Sequence, residues 1–129
     1  MRGFRKELKE ITKVIHDNAV KKGFWSKEVS LGTELMRIVT ELGEALEADR
    51  KGHRASELWD PLDRANQRNP DSFIANFITY RKDTLEDELA DAFIMLMSLV
   101  GELGIDLAKH VEAKIIFNSL RPPLHGKLY

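Results

Sequence analysis

Cysteine is absent from the 129 residues. The chain can therefore build no disulfide, no thiolate metal site and no cysteine nucleophile, which fits a reducing compartment. An excess of charge of one sign is also missing: 20 basic and 21 acidic residues give a formal net charge of −1. No general attraction to nucleic acid or to anionic lipid follows from that balance. Long apolar runs are lacking, and the longest, Ala92 to Met97, is far too short to cross a bilayer. The opening MRGFRKELKEITKVI alternates charges and has no apolar stretch of the kind a signal peptide needs. These absences lead to the expectation of a soluble, cytoplasmic chain with neither a nucleic acid nor a membrane as partner.

What is present is helical periodicity. Apolar residues make up 43% of the sequence, enough for a packed core, and the length suits a single domain covering residues 1–129. Phe4, Leu8, Ile11, Ile15 and Ala19 recur at steps of three and four, predicting a first amphipathic helix that ends near Lys22-Gly23. Phe24-Trp25-Ser26 then reads as a short aromatic loop, and a second helix runs from about Val29 to Arg50, with Lys51-Gly52 as its stop. Asn69-Pro70 is a good N-cap followed by proline at the first helical position, opening a short helix marked by Phe73, Ile74, Phe77 and Ile78. Thr84 with Asp87 resembles a capping box for a helix to about Leu103. Gly104 stops it, Asp106 caps the last helix, and Pro122-Pro123 closes that one near Leu120. The tail LHGKLY has no periodicity and reads as a loop. No segment alternates with period two, so the predicted class is all-α, a bundle of four to five helices.

Two stretches carry chemistry. On a wheel of ~100° per residue, Leu31, Leu35, Ile38, Val39, Leu42, Ala45 and Leu46 form one apolar arc, with Glu41 at its edge and Glu44 a turn on. In the later helix Glu88 and Asp91 take the same places beside Leu85, Leu89, Ala92, Phe93, Leu96, Leu99, Val100 and Leu103. An i, i+3 acidic pair on a helix is ordinarily solvated surface. Two such pairs in matching positions are different, because packing the two arcs together brings four carboxylates to one spot. Partly buried like charges are costly, and a hard divalent cation that prefers oxygen ligands offsets the cost. Glu34 and Glu47 stand outside this set and are expected to pair with Arg37 and Arg50 or to be solvated. A di-iron bundle needs Glu-x-x-His pairs, and no histidine here has a glutamate three residues before it. His16-Asp17 resembles the HD dyad of another phosphohydrolase class, but further ligands for it are missing.

Glu41-Leu-Gly-Glu44 followed by Glu88-Leu-Ala-Asp91 resembles the ExxE…ExxD signature of the MazG-like, all-α nucleoside triphosphate pyrophosphohydrolases, a superfamily that includes the dimeric dUTPases. KKGFW, ELGEALEADRKG, LEDELADAFI and the ending KIIFNSLRPPLHGKLY resemble it too, so that only about Ala55 to Lys82 falls outside the resemblance. Thr40 stands where the family often has a further glutamate, and the gap between the acidic pairs is longer than in its small members.

The resemblance implies hydrolysis of a nucleoside triphosphate between its α and β phosphates, giving a monophosphate and diphosphate in nucleotide-pool housecleaning. It also implies Mg2+, with Mn2+ as a substitute, held by Glu41, Glu44, Glu88 and Asp91, one of which acts as general base. Lys114, Asn118 and Arg121, at steps of four and three, continue the line of Leu107 and Val111. They are expected to face inward and to suit the β and γ phosphates; alternatively they only complement the helix dipole. Trp25, with Phe24, either stacks on the base or anchors the core. The nearly all-apolar face of the Glu88 helix points to a homodimer or homotetramer. The alternative reading is a catalytically inactive helical interaction or regulatory protein that retains the fold.

Overall fold

The structure is a computed structural model that describes the backbone of residues 2–129 and side chains from Gly3 onward. The all-α class is what it shows. The elements are α1 (Arg2–Lys21), α2 (Leu31–Arg50), α3 (Pro70–Tyr80), α4 (Leu85–Leu103) and α5 (Leu107–Ser119). Short 3-10 turns lie at Arg64–Gln67 and Pro123–Gly126. There is no strand among the described residues, and no helix is long and apolar enough to cross a membrane.

The helix ends follow the local chemistry. Ser30 Oγ accepts from Thr33 N at 3.1 Å and starts α2. Asn69 Oδ1 accepts from Ser72 N at 3.1 Å, with Pro70 as the first residue of α3. Asp106 Oδ1 accepts from Lys109 N at 3.1 Å ahead of α5. Each satisfies a first-turn N–H that would otherwise have no partner. The box before α4 is shifted by one residue from the expected form. Asp87 N donates to Thr84 Oγ1 at 3.3 Å, while the Asp87 carboxylate accepts from Asp83 N rather than from Thr84 N, at 2.9 Å. Gly52 and Gly104 end α2 and α4 at φ 69° and 65°, a region open to glycine at little cost. The tail expected as loop makes a tight turn in which Leu124 and His125 are left-handed, at φ 55° and 51°.

Two compact units make up the chain: the segment ending at Glu28 together with Met97–Tyr129, and Val29–Leu96. In the first, α1 lies along α5 through Arg5–Glu112 at 2.7 Å and Lys9–Asp106 at 2.9 Å. The end of α4 is its buried strip, with Met97 only 2% exposed. Thr12 Oγ1, which donates to the Leu8 carbonyl at 2.7 Å, lies 3.5 Å from Met97 Sδ, and His16 Nε2 lies 2.7 Å from Glu102 Oε2. Gly101 permits that approach: a Cβ there would fall 2.6 Å from the His16 Cβ.

The second unit contains a small aromatic core that nothing in the sequence pattern announced. Trp59, 6% exposed, meets Phe73 edge-on at 5.2 Å and stacks with Tyr80 at 6.2 Å between ring centres. Arg81 Nη2 donates to the Trp59 carbonyl at 3.0 Å, and Ser56 N donates to the Tyr80 carbonyl at 3.0 Å. The segment from Ala55 to Lys82 is thus folded onto itself. Leu85 N, donating to the His53 carbonyl at 3.0 Å, ties the stretch after α2 to the start of α4.

Candidate metal and substrate site

The same unit holds all four carboxylates of the two acidic pairs. Helical spacing explains how α2 presents its two. The half-buried and buried line of α2 is Glu34, Ile38, Glu41, Ala45 and Ala48, which recur at four, three, four and three. Glu41 therefore sits in the middle of the line that faces the chain's own interior, not at the edge of an apolar arc. Of the arc expected to be inward, Ile38 and Ala45 face in, while Leu31, Leu35, Val39, Leu42 and Leu46 are exposed. Two alanines below Glu41 keep the line narrow enough for α4 carboxylates to approach.

On α4, Glu88 is buried to 6% exposure, Asp91 is half-buried, and Ala92 beside them is buried. One oxygen each from Glu41, Glu88 and Asp91 lie within 4.8 Å of one another. Glu44 is exposed, and its charge acts on both Glu41 and Glu88. Of the four carboxylates expected to converge, Glu41, Glu88 and Asp91 come together, and Glu44 stays exposed outside that trio.

Such crowding should disfavour ionisation, and it does. Burial pushes the Glu88 carboxyl up from the ordinary 4.5 to about 7, with Glu44, Asp91 and Glu41 adding to the effect. Burial also raises Glu41, helped by Glu44 and Asp91, and raises Asp91, helped by Asp87, Glu44 and Asp83. Glu88 Oε2 is buried without any hydrogen-bond partner. A buried carboxylate oxygen with nothing to accept from is costly, and a cation is the partner that suits an all-carboxylate surround.

The donor set fits Mg2+ or Mn2+ and excludes metals that need nitrogen or sulfur ligands. Two oxygens on one Mg2+ stand at most about 4.2 Å apart, so small side-chain rotations would close the trio onto an ion. A further trio, Asp83, Asp87 and Glu88, also brings one oxygen each within 4.8 Å. Pattern reading assigned Asp87 to capping alone and did not see this group, because Asp83 lies before the helix and shares no helical face with the pair.

The remaining acidic residues of α2 behave as counter-charges. Glu34 pairs with Arg37 at 3.3 Å, as expected. Glu47 pairs with Lys51 at 3.5 Å rather than with Arg50, since i, i+4 brings the two side chains along one face.

The residues expected on the substrate side lie in the other unit. Trp25 is half-buried, and its Nε1–H donates to Ser98 Oγ at 2.9 Å. Its indole N–H is thus spent inside its own unit, while neighbouring Phe24 is exposed. Along α5 the half-buried and buried positions are Leu107, Ala108, Val111 and Glu112. Lys114 and Asn118 do not continue that line inward; both are exposed, and Arg121 is half-buried. The reason is the pairing of α5 with α1 through Glu112, which turns the Lys114 side of the helix outward. Lys114 Nζ lies 4.7 Å, and Arg121 Cζ 5.3 Å, from the centre of the Phe117 ring.

No family model, no curated protein and no solved structure matches the chain.

Proposed function

We propose that the chain is a Mg2+-dependent nucleoside triphosphate pyrophosphohydrolase, converting a (deoxy)nucleoside triphosphate and water to the monophosphate and diphosphate. The observation that carries this reading is the meeting of Glu41, Glu88 and Asp91, with a Glu88 oxygen buried and unpartnered. The ExxE…ExxD resemblance to the MazG-like enzymes supplies the reaction. Mg2+, with Mn2+ as substitute, would bind these carboxylates, clamp phosphate oxygens and acidify an attacking water.

The chain's own part is to hold and orient. Ala45 and Ala48 keep the acidic line of α2 close to the rest of its unit, so that the carboxylates are fixed by packing before a ligand arrives. Because the Glu88 carboxyl of the metal-free chain is raised to about 7, a cation binding it near neutral pH would displace a proton. Lys114, Asn118 and Arg121 are the proposed phosphate-side residues, and Trp25 the proposed base-side residue. The location that goes with this activity is the cytoplasm, and no nucleic acid partner is part of it.

Leu35, Val39, Leu42 and Leu46 on α2, and Phe93, Ile94 and Leu96 on α4, are large apolar side chains left exposed. We assign these faces to association into a homodimer or homotetramer. They are also the observation that favours the alternative, a non-catalytic interaction protein.

Product analysis separates the two. A panel of canonical and modified nucleoside triphosphates is incubated with Mg2+ and the products are resolved by chromatography. Monophosphate and diphosphate in equal amounts are expected. Orthophosphate release would mean that a different bond is cleaved, and no turnover with either Mg2+ or Mn2+ would leave the interaction protein.

A further inference from the structure

Phe117 has no part in the acidic centre and is exposed, yet both cations proposed to meet phosphate rest on it. Lys114 precedes it by three residues and Arg121 follows by four. That spacing stacks all three side chains along one side of the helix and its end. Each cation is within the reach at which a ring face attracts it. Neither Lys114 nor Arg121 pairs with a carboxylate among the described residues. Two like charges drawn to one ring without an acid to neutralise them leave their N–H groups free for an anion from outside.

Arg121 is held from a second side. Its Nη2 donates to the His125 carbonyl at 3.3 Å. That carbonyl is turned back by the tight turn in which Leu124 and His125 adopt left-handed backbone, a conformation disfavoured for both. A strained turn that directs a carbonyl at the guanidinium, and a ring that underlies it, fix a side chain that would otherwise sample many rotamers. Lysine and arginine both lose considerable rotamer freedom when a phosphate immobilises them. Seating them beforehand lowers that cost.

We infer that Phe117 is a positioning residue that seats Lys114 and Arg121 as a two-cation clamp for a polyphosphate chain. This rests on the proposed phosphate role of Lys114 and Arg121 and adds the residue that prepares them. The ligand class is a linear polyphosphate, free or as the triphosphate of a nucleotide. The ring contributes through its π-face, so an aliphatic side chain of similar size should not replace it and tyrosine should.

The test is titration calorimetry of inorganic tripolyphosphate into the full chain in EDTA, which silences the carboxylate centre. Wild type, Phe117→Leu, Phe117→Tyr and Lys114→Gln are compared, with melting curves and Mn2+ affinity measured alongside. Phe117→Leu is expected to bind tripolyphosphate about five- to tenfold more weakly than wild type. Its melting temperature and Mn2+ affinity should be unchanged, and Phe117→Tyr should bind within about twofold of wild type. Phe117→Leu should cost less binding in the Lys114→Gln background than in wild type, because one of the two cations that the ring seats is then gone.

Unchanged binding in Phe117→Leu, or equal losses in the leucine and tyrosine variants, would overturn the inference while leaving hydrolysis by the carboxylate centre intact. Absence of tripolyphosphate binding by wild type would overturn the clamp and the role given to its two cations. The expected pattern in a chain that hydrolyses no nucleotide would establish the clamp and remove the proposed reaction.

Discussion

Replacing Glu88 by glutamine should make the metal-free chain more stable at pH 8 and less able to gain from Mg2+. Glu88 is almost fully buried, one of its oxygens has no partner, and its carboxyl titrates at about 7 rather than 4.5. An acid whose pKa is raised by folding binds more protons folded than unfolded between those two values. Stability then falls as pH rises through that window, and the loss is complete above about 7. A difference of this size is on the order of 3 kcal/mol, spread over the coupled group because Glu41 and Asp91 are raised as well. For a chain of this length it corresponds to roughly 10 °C in melting temperature. Glu86 and Asp106 are depressed instead, by the N–H of Ala55 and by Lys9 respectively. Their stabilisation is lost only as pH falls below the ordinary carboxylate range.

The assay is thermal denaturation followed by circular dichroism at pH 5, 6, 7 and 8, in EDTA and again with Mg2+. Wild type in EDTA should melt lower at pH 8 than at pH 5, and Glu88→Gln should flatten that slope and melt higher than wild type at pH 8. Mg2+ should restore wild type at pH 8 and do little for the variant. A wild-type melting temperature that climbs from pH 5 to 8 in EDTA, or a variant less stable than wild type at pH 8, would refute the reasoning.

Other perturbations follow from particular contacts. Gly101→Ala puts a methyl 2.6 Å from the His16 Cβ and 2.8 Å from its Cγ; α1 must shift, and a loss of about 1–3 kcal/mol is expected by urea denaturation. Trp25→Phe removes the donor to Ser98, which is itself buried; a stability loss of about 1 kcal/mol is expected, with KM unaltered because the aromatic face remains. Asn69→Ala should cost about 1 kcal/mol through loss of the cap on α3. Leu42→Lys, in the middle of the exposed face of α2, should leave the helix content unchanged by circular dichroism and yield monomers by light scattering.

Most helix boundaries were legible because their signals are local. Asn69-Pro70, Asp106, Gly52 and Gly104 each act within one turn of the chain, and each stands where its chemistry indicated. The Trp59 cluster was not legible, since Trp59, Phe73 and Tyr80 meet from separate segments and none follows a period. The meeting of the two acidic pairs was legible from matched i, i+3 spacing, but the place of Glu41 was not. Helical amphipathicity records every surface that is kept from water, whether the cover comes from the same chain or another. On α2 the strongest apolar arc lies outside the chain's own interior, and the acidic line lies inside. The same logic misplaced Lys114 and Asn118, whose spacing continued an inward line that the Arg5–Glu112 pairing rotates away. Asp83 and Asp87 were overlooked as oxygen donors because a capping role already accounted for one of them.

The central claim is that the carboxylates of α2 and α4 form one cation site, and Mn2+ binding tests it most directly. Metal-free chain at pH 8 is titrated with Mn2+ while the free ion is followed by electron paramagnetic resonance. Wild type, Glu41→Gln, Glu88→Gln and Glu47→Gln are compared, the last as a carboxylate paired with Lys51 away from the cluster. Saturable binding of at least one ion per chain is expected, lost in Glu41→Gln and Glu88→Gln and kept in Glu47→Gln. Equal binding by all four, or none by wild type, would contradict it.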